Sequence, residues 1–299
     1  MGTIAKRASG VYIIESEMSN PNGDPDCGGA PRLDPFGYGW ITPVSVKSKL
    51  RYILADPSSP VTKYFMDKYK LDISNFCIFE SRAKGFDVAE TEVLNSLHQF
   101  IEKNGEEALL KRFWDMRLFG TTALEENPDK NTKALNFKRT GCVQMSVPVS
   151  VAPVEVVSAT VSKKSPLDKA NIEKGTGTFG NQSFQVVRHG IYVGTYNVNP
   201  LEAPKTQATE EDLELFKALL PRAYDLTPAA SRAGMRIVSV LHAEHSDPIG
   251  SFNPFDFITA ARPKVKEGVE VPLSIADYHI PTLEEVVEAT GIENITKLG

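Results

Sequence analysis

Cysteine is scarce: Cys27, Cys77 and Cys142 are the only three in 299 residues. They are odd in number, far apart and form no Cys-x-x-Cys pair, which argues against a disulfide framework and offers no pattern for a structural zinc site. Long apolar runs are missing as well. No stretch approaches the ~18 residues that a membrane-spanning helix requires, and MGTIAKRASG at the start holds neither a hydrophobic segment nor a cleavage site. A cytoplasmic protein with reduced thiols and no membrane partner is expected. Catalytic signatures are lacking too: there is no Gly-x-Ser-x-Gly elbow, and no Cys/His pair stands out. Positive charge is in overall deficit, at a net −5, which rules out a uniformly basic nucleic-acid coat.

What is present is a soluble composition, 41% hydrophobic and 24% charged, enough for one large core or two modest ones. The charge is uneven. Between Thr132 and Gly190 there are 8 Lys and Arg (Lys133, Lys138, Arg139, Lys163, Lys164, Lys169, Lys174, Arg188) against 3 acids (Glu155, Asp168, Glu173). A basic middle in an acidic chain suggests one anion-facing surface, and a solvated face of scattered lysines accounts for it equally well on charge alone.

Apolar periodicity organises the rest. VYIIE within Gly10 to Glu17 reads as a first strand. Ser19 to Gly39 is too rich in Gly, Pro, Asn and Asp for regular structure. Val46, Leu50, Ile53 and Leu54 then recur at helical spacing, with Thr42-Pro43 or Ser45 as the start signal, and Lys47 and Arg51, four apart, share a face with Lys49 to the side. From Asp56 to Asn136 the pattern is polar and helical, an inserted subdomain that ends in a loop from Ala123 to Lys133. Val143, Met145, Val147, Val149 and Val151 alternate with polar or small neighbours as a half-buried strand, with Pro148 marking an edge or a bulge. A Lys- and Gly-rich hairpin or loop follows Val161, and Phe184 to Val198 is strand-like. Thr209 with Asp212 opens a second helix carried by Leu213, Phe216, Leu219 and Leu220. Met235 to His242 is a strand, and Thr282 with Glu285 opens a last helix that Gly291 stops. Without the insertion the order is βαββαβ, the split βαβ of α+β folds of ferredoxin-like and RNA-recognition type, which by itself licenses no function.

Several motifs have plainer explanations. Gly175-Thr176-Gly177-Thr178-Phe179-Gly180 spells Gly-x-Gly-x-x-Gly, but a dinucleotide site needs a buried strand before it and a helix after it; here polar residues precede and a strand follows. His242, His245 and Asp247 lack the helical context and further ligands of a metal site, and Asp24 and Asp26 are equally explained as turn chemistry. Neither a metal nor a cofactor is expected. Lys47 and Arg51, Lys138-Arg139 entering the central strand, and Lys163-Lys164 leaving it suit a phosphate backbone crossing a sheet edge. Tyr192 and Tyr196 share a strand face, where they could stack on bases or simply pack.

Asn20-Pro21-Asn22-Gly23-Asp24-Pro25-Asp26, followed by Gly29, Pro31, Arg32, Asp34 and a basic helix, resembles the N-terminal signature of the backbone-subunit family of CRISPR surveillance complexes. Asp115-Met116-Arg117-Leu118-Phe119-Gly120, Thr140-Gly141-Cys142-Val143-Gln144-Met145, Pro153-Val154-Glu155, His189-Gly190-Ile191-Tyr192-Val193 and Ser231-Arg232-Ala233-Gly234-Met235-Arg236 match in the same order. The resemblance spans most of the chain and is nearest to type I-C Cascade members, with type I-B relatives close by.

The resemblance implies a hand-shaped, non-catalytic subunit: an RNA-recognition-like palm (1–55, 137–160 and 186–299), inserted helical fingers (56–136) and a thumb hairpin (161–185). Copies would stack along a CRISPR guide RNA, beside other Cascade subunits, and present it for pairing with target DNA in antiviral defence, so that base pairing and not side chains carries specificity. In that reading Arg32, Lys47, Lys49 and Arg51 hold guide phosphates, Asn20, Asn22 and Gly23 add amide and backbone hydrogen bonds, and Lys163 and Lys164 steady a kink at the thumb base. Arg117, Arg139, Gln144 and Arg232 are secondary candidates. Two alternatives stand beside it: an RNA-processing endoribonuclease on the same fold using His189 or His242, and a metabolic enzyme binding phosphate through GTGTFG.

Overall fold

The computed structural model describes residues 2–80, 97–125, 135–163 and 180–299. Strand β1 (Ala8–Ser19) is buried without a break from Ala8 to Ser16, as a strand covered on both faces must be. Two short strands, β2 (Gly23–Asp24) and β3 (Ala30–Pro31), pair with each other, and β4 (Tyr38–Trp40) follows. Helix α1 (Pro43–Leu54) begins where the sequence signals it: the Thr42 hydroxyl accepts from Ser45 N, and Pro43 occupies a first-turn position whose N–H has no helical partner anyway. Ser59 and Pro60 repeat the device for α2 (Pro60–Tyr69).

Next come α3 (Leu97–Asn104), α4 (Glu106–Arg112) and α5 (Trp114–Phe119), then a hairpin of β5 (Gly120–Glu125) and β6 (Leu135–Thr140). Strands β7 (Val143–Met145), β8 (Val149–Pro153) and β9 (Val156–Lys163) all pair with the long β10 (Gly180–Val198). After α6 (Ala203–Thr206), helix α7 (Glu210–Leu219) opens on the Thr209/Asp212 capping box that the spacing predicts. The rest comprises β11 (Met235–Glu244), α8 (Pro254–Ala261), β12 (Lys264–Val265), β13 (Tyr278–His279), α9 (Leu283–Thr290) and β14 (Ile295–Lys297). Helix α9 carries the expected Thr282/Glu285 box and ends on Gly291 in the left-handed region, φ 69°.

The main sheet runs β14-β11-β1-β10-β8-β4. β1 is antiparallel to both β10 and β11, and β10 is antiparallel to β8, so the chain is an α+β protein. Alternation along β1 divides the interior. Tyr12 and Ile14 meet Val46, Leu50 and Leu54 of α1, Phe65 of α2, Trp114 of α5 and Phe216 of α7. Val11 faces the other way, onto Phe257 of α8 and Val286 of α9, and Ile13 meets Tyr278 of β13. Each such large side chain contributes ~1.5–3 kcal/mol on burial. A separate small core of Cys77, Leu109, Leu110, Phe113, Met116 and Phe137 joins α4, α5 and β6.

Two cross-strand pairs fix the centre of the sheet. Gly10 lies opposite Tyr196, and Gly194 opposite Tyr12. A Cβ on either glycine would fall inside the facing ring, so each bare backbone is the floor on which a tyrosine lies.

The structure departs from the sequence reading in several places, beginning with the paired strands β2 and β3 inside the segment read as irregular. The alternating run from Cys142 to Val151 is two strands, β7 and β8, and its phase flips between them: Val143 is buried, Val147 and Val149 are exposed, and Ser150 and Ala152 face inward. Pro148 cannot donate to the ladder, its carbonyl accepts from Ile41 N instead, and a break there moves the following side chains to the opposite face. The stretch read as helical to Asn136 ends in the β5–β6 hairpin, so Lys138 and Arg139 lie on that separate sheet and do not lead into the central strand. In keeping with a hairpin after Val161, β9 and β10 pair antiparallel down to Lys163 opposite Gly180. Lys164 and Gly175 to Phe179 lie outside the described residues.

Candidate nucleic-acid interface

Strand β1 ends in a kink. Met18 has φ 42°, a region that side-chain-bearing residues rarely adopt, and the β10 pairing steps over it from Glu17 opposite His189 to Ser19 opposite Val187. Beyond the kink the chain is tied to the turn before β11. Glu17 N donates to Gly234 O (2.9 Å), Gly234 N donates to the Ser19 hydroxyl (2.9 Å), and Asn20 N donates to Ser231 O (2.7 Å). The end of β1 and the residues around Arg232 therefore share one frame.

The Gly- and Pro-rich segment is ordered by its own polar groups, as Asn and Asp in turns commonly do. Asn20 Nδ2 donates to Gly29 O (2.7 Å) and to Gln185 O of β10 (3.2 Å), while its Oδ1 is buried without a partner. Asn22 Oδ1 accepts from Thr42 N (2.7 Å), which docks the segment on the cap of α1. Gly23 faces the Gly29 carbonyl so closely that a Cβ would lie 2.8 Å from its oxygen. Asp24 accepts from Asp26 N (3.2 Å) and from Arg32 Nη1 (3.2 Å), and the Arg32 guanidinium lies 5.0 Å over the Trp40 ring. Asp24 and Asp26 thus serve the turn, and the described residues contain no group of three or more metal-ligating side chains.

Two cations meet beside this frame. Residues two apart on a helix point to nearly opposite faces, so Lys49 faces away from Lys47 and Arg51 and comes beside Arg232. Burial first, and then the Arg232 charge, pull the Lys49 ammonium down to about 8. Arg232 Nε and the Tyr224 hydroxyl beside it are buried without partners. Among the described residues neither cation has an ion-pair partner, whereas Asp24 is paired with Arg32, and Asp115 and Glu80 with Arg51. An anion between two such charges would relieve their repulsion.

The remaining candidates are placed elsewhere. Lys47 and Arg51 share a face as expected, 5.1 and 5.5 Å over the Phe119 ring, and burial, followed by the Arg51 charge, lowers the Lys47 ammonium from its ordinary range. Arg51 itself is 7% exposed and bonded to Asp115 (3.0 Å) and Glu80 (2.8 Å). Arg117 is 4% exposed and donates to Asp212, Leu110 O, Lys111 O and Asn75 O, which uses all five guanidinium donors. Both arginines are therefore corrected from phosphate ligands to internal ties. Arg139 lies over Phe137 and pairs with Glu106, away from the Lys49 frame. Gln144 is exposed on β7 and donates to Gly141 O (2.9 Å). Lys163 ends β9.

Tyr192 and Tyr196 do share a face, but it is the helix-covered one. Both are 1% exposed, and the Tyr196 hydroxyl is 2.8 Å from His242 Nδ1, so base stacking on them is excluded by burial. The histidines of the endoribonuclease alternative are buried too: His242 at 0%, and His189 at 4% with Nε2 3.2 Å from Glu15 Oε1, whose other oxygen accepts from Arg236 at 2.5 Å. Neither ring lies at the surface. His245 accepts from Ser251 N and stacks on Phe252. Sequence reading missed Tyr224 and the meeting of Lys49 with Arg232, because no local pattern links residues so far apart in the chain.

No curated protein matches the chain significantly. Among solved structures, a chain of a "CRISPR RNA-guided surveillance complex, pre-nicking" is 18% identical, with 79% of this chain and 75% of that one covered and a TM-score of 0.45. A chain of a "CRISPR RNA-guided surveillance complex" is 18% identical, with 88% and 78% covered and a TM-score of 0.43. A chain of a Type III-B Cmr-beta complex bound to cognate target RNA is 11% identical, with 79% and 60% covered and a TM-score of 0.38. These likenesses are distant, and the assignment rests on a family model that matches residues 6–282. The chain belongs to the family described as CRISPR-associated protein Cas7.

Proposed function

We propose that this chain is a guide-RNA-binding backbone subunit of a type I Cascade complex, most akin to type I-C, that grips the ribose-phosphate strand without reading its bases and performs no catalysis. The observation that carries the proposal is the Lys49–Arg232 pair, two cations with no carboxylate partner among the described residues, set beside the frame that joins β1 to β11. In a family member the natural counter-ion is a guide phosphate, because phosphate contacts position a strand while bases stay available for pairing.

The palm of this reading is an RNA-recognition-like sheet of β11, β1, β10 and β8, supported by their antiparallel order and by helices α1 and α7 between strands. The fingers would be 56–136, whose helices share the Cys77–Phe137 core, and the thumb 161–185, based on the β9–β10 ribbon. In this reading Asn20, Asn22 and Gly23 would build the wall of the site with Arg32 beside them, while Lys47, on the Phe119 side of α1, would meet the strand apart from Lys49. Gln144, Arg139, Lys163 and Lys164 would meet the strand farther along. Further copies of the chain, other Cascade subunits and target DNA paired to the guide are the partners of this reading, in the cytoplasm.

The test is binding of purified protein to single-stranded RNAs of unrelated sequence. Affinity should be alike among sequences and fall steeply between about 50 and 200 mM salt, and repeat-containing RNA should remain uncut. Absence of RNA affinity at low salt would overturn the proposal, and cleavage products would overturn its non-catalytic part.

A further inference from the structure

Among the described residues three arginines meet a buried carboxylate, and one of them is turned outward. Arg117 spends its donors inside the core, two of them on Asp212, and the buried Arg51 is held by Asp115 and Glu80. Arg236 on β11 differs. Its side chain is 58% exposed, although its partner Glu15, opposite it in the β1–β11 ladder, is buried. Glu15 Oε2 accepts from Arg236 Nε at 2.5 Å, and Glu15 Oε1 lies 3.2 Å from His189 Nε2. His189 thus occupies the oxygen that would complete a two-point pair of the Arg117–Asp212 kind. The Nη groups of Arg236 have no hydrogen-bond partner among the described residues.

We infer that Arg236 grips a phosphate of the RNA strand and that Glu15, steadied by His189, is its positioning residue; the inference rests on the RNA-binding reading above. A buried carboxylate is costly to leave unpaired, so Glu15 anchors the guanidinium at Nε and keeps it from swinging as a free surface arginine does. The outer edge, with its four Nη donors, is a planar fork that fits two oxygens of a phosphodiester. The fork stands in the frame already described: Gly234, two residues before Arg236, exchanges hydrogen bonds with Glu17 and Ser19, and Ser231 is bonded to Asn20. Net charge does not make this an anion surface. Glu17, two residues past Glu15 and on the same strand face, is itself exposed, so the contact has to come from the held geometry of the fork.

The experiment measures binding of the full chain to a single-stranded RNA across a series of salt concentrations. Arg236→Gln should weaken binding about tenfold, as for loss of a hydrogen-bonded charge, and shrink the slope of log affinity against log salt by about one unit. Glu15→Gln removes a negative charge, so charge counting predicts tighter binding. Positioning predicts looser binding, with no further loss when Glu15→Gln is added to Arg236→Gln. Tighter binding in Glu15→Gln, or a full further loss in the double variant, overturns the positioning role. The wild-type protein supplies a test that no folding defect can shield: phenylglyoxal, which modifies accessible guanidinium groups, should label Arg236 in the free protein and fail to label it when RNA is bound, as read by mass mapping. Labelling unchanged by bound RNA, or an unaltered salt slope in Arg236→Gln, overturns the inference and leaves RNA binding intact. Loss of self-association in Arg236→Gln at an unaltered salt slope overturns it in favour of a carboxylate from a second copy. Lack of wild-type affinity for RNA would instead overturn the reading on which the inference rests.

Discussion

Arg117 and Asp212 form a two-point ion pair in the core, Nε to Oδ2 at 2.9 Å and Nη2 to Oδ1 at 2.7 Å. The same Asp212 carboxylate closes the α7 capping box by accepting from Thr209 N at 2.8 Å. One carboxylate therefore fixes both the start of α7 and its attachment to α5, which carries Arg117.

Truncating one partner leaves the other charge buried and alone, which costs ~3–5 kcal/mol. Arg117→Ala should lower stability by about that amount in urea unfolding, with RNA affinity of the remaining folded protein unchanged. A loss of affinity at full stability would return Arg117 to the RNA interface.

The Gly10/Tyr196 and Gly194/Tyr12 pairs predict a different failure. Gly10→Ala and Gly194→Ala each push a methyl into a ring, an overpacking that costs ~1–3 kcal/mol or more. Gly2→Ala, where nothing lies within 4 Å, should be neutral. Combining Gly10→Ala with Tyr196→Leu should cost less than the two changes added together, because the methyl then meets a smaller side chain. Strict additivity would mean that the close approach is not the source of the cost.

These cases show what was legible in the sequence. Caps and stops are local, so Thr209, Thr282 and Gly291 announced their helices at the correct residues, and of the two candidate starts of α1 the structure uses Thr42 and not Ser45. The strands β1, β10 and β11 were legible from their apolar, β-branched runs, whereas the short strands were not, and Pro148 breaks the ladder and reverses the faces of Val149 and Ser150. Charge was the misleading signal. A lysine or arginine reads the same whether it meets a carboxylate or an anion from outside, and only the fold shows that Arg51 and Arg117 are answered by Asp115 and Asp212 while, among the described residues, Lys49 and Arg232 have no ion-pair partner.

His242 makes stability pH-dependent. Burial, reinforced by Lys217, pulls its imidazole from 6.5 to about 4, so the folded state holds it neutral while the unfolded chain protonates it below about pH 6.5. A group depressed by folding contributes fully above its unfolded value and loses that contribution as pH falls toward the folded one. Stability should drop by up to about 3 kcal/mol between pH 6.5 and pH 4 from this residue. His242→Asn should flatten that part of the pH profile in thermal unfolding; an identical slope would show that other groups carry it.

The last prediction separates the cations of the site by their partners. Arg232 has no ion-pair partner among the described residues, so Arg232→Gln strands no buried carboxylate: stability should change by less than about 1 kcal/mol, and the slope of log affinity against log salt should shrink by about one unit. Arg51 is bonded to Asp115, which also receives Phe79 N at 2.8 Å and Glu80 N at 3.1 Å. Arg51→Gln should therefore unfold the protein at lower denaturant and leave the salt slope of the folded fraction as it was. If the two variants exchanged these behaviours, Arg51 would leave its carboxylates when RNA arrives, and the seat for phosphate would lie on the Phe119 side of α1, not on the side of Lys49.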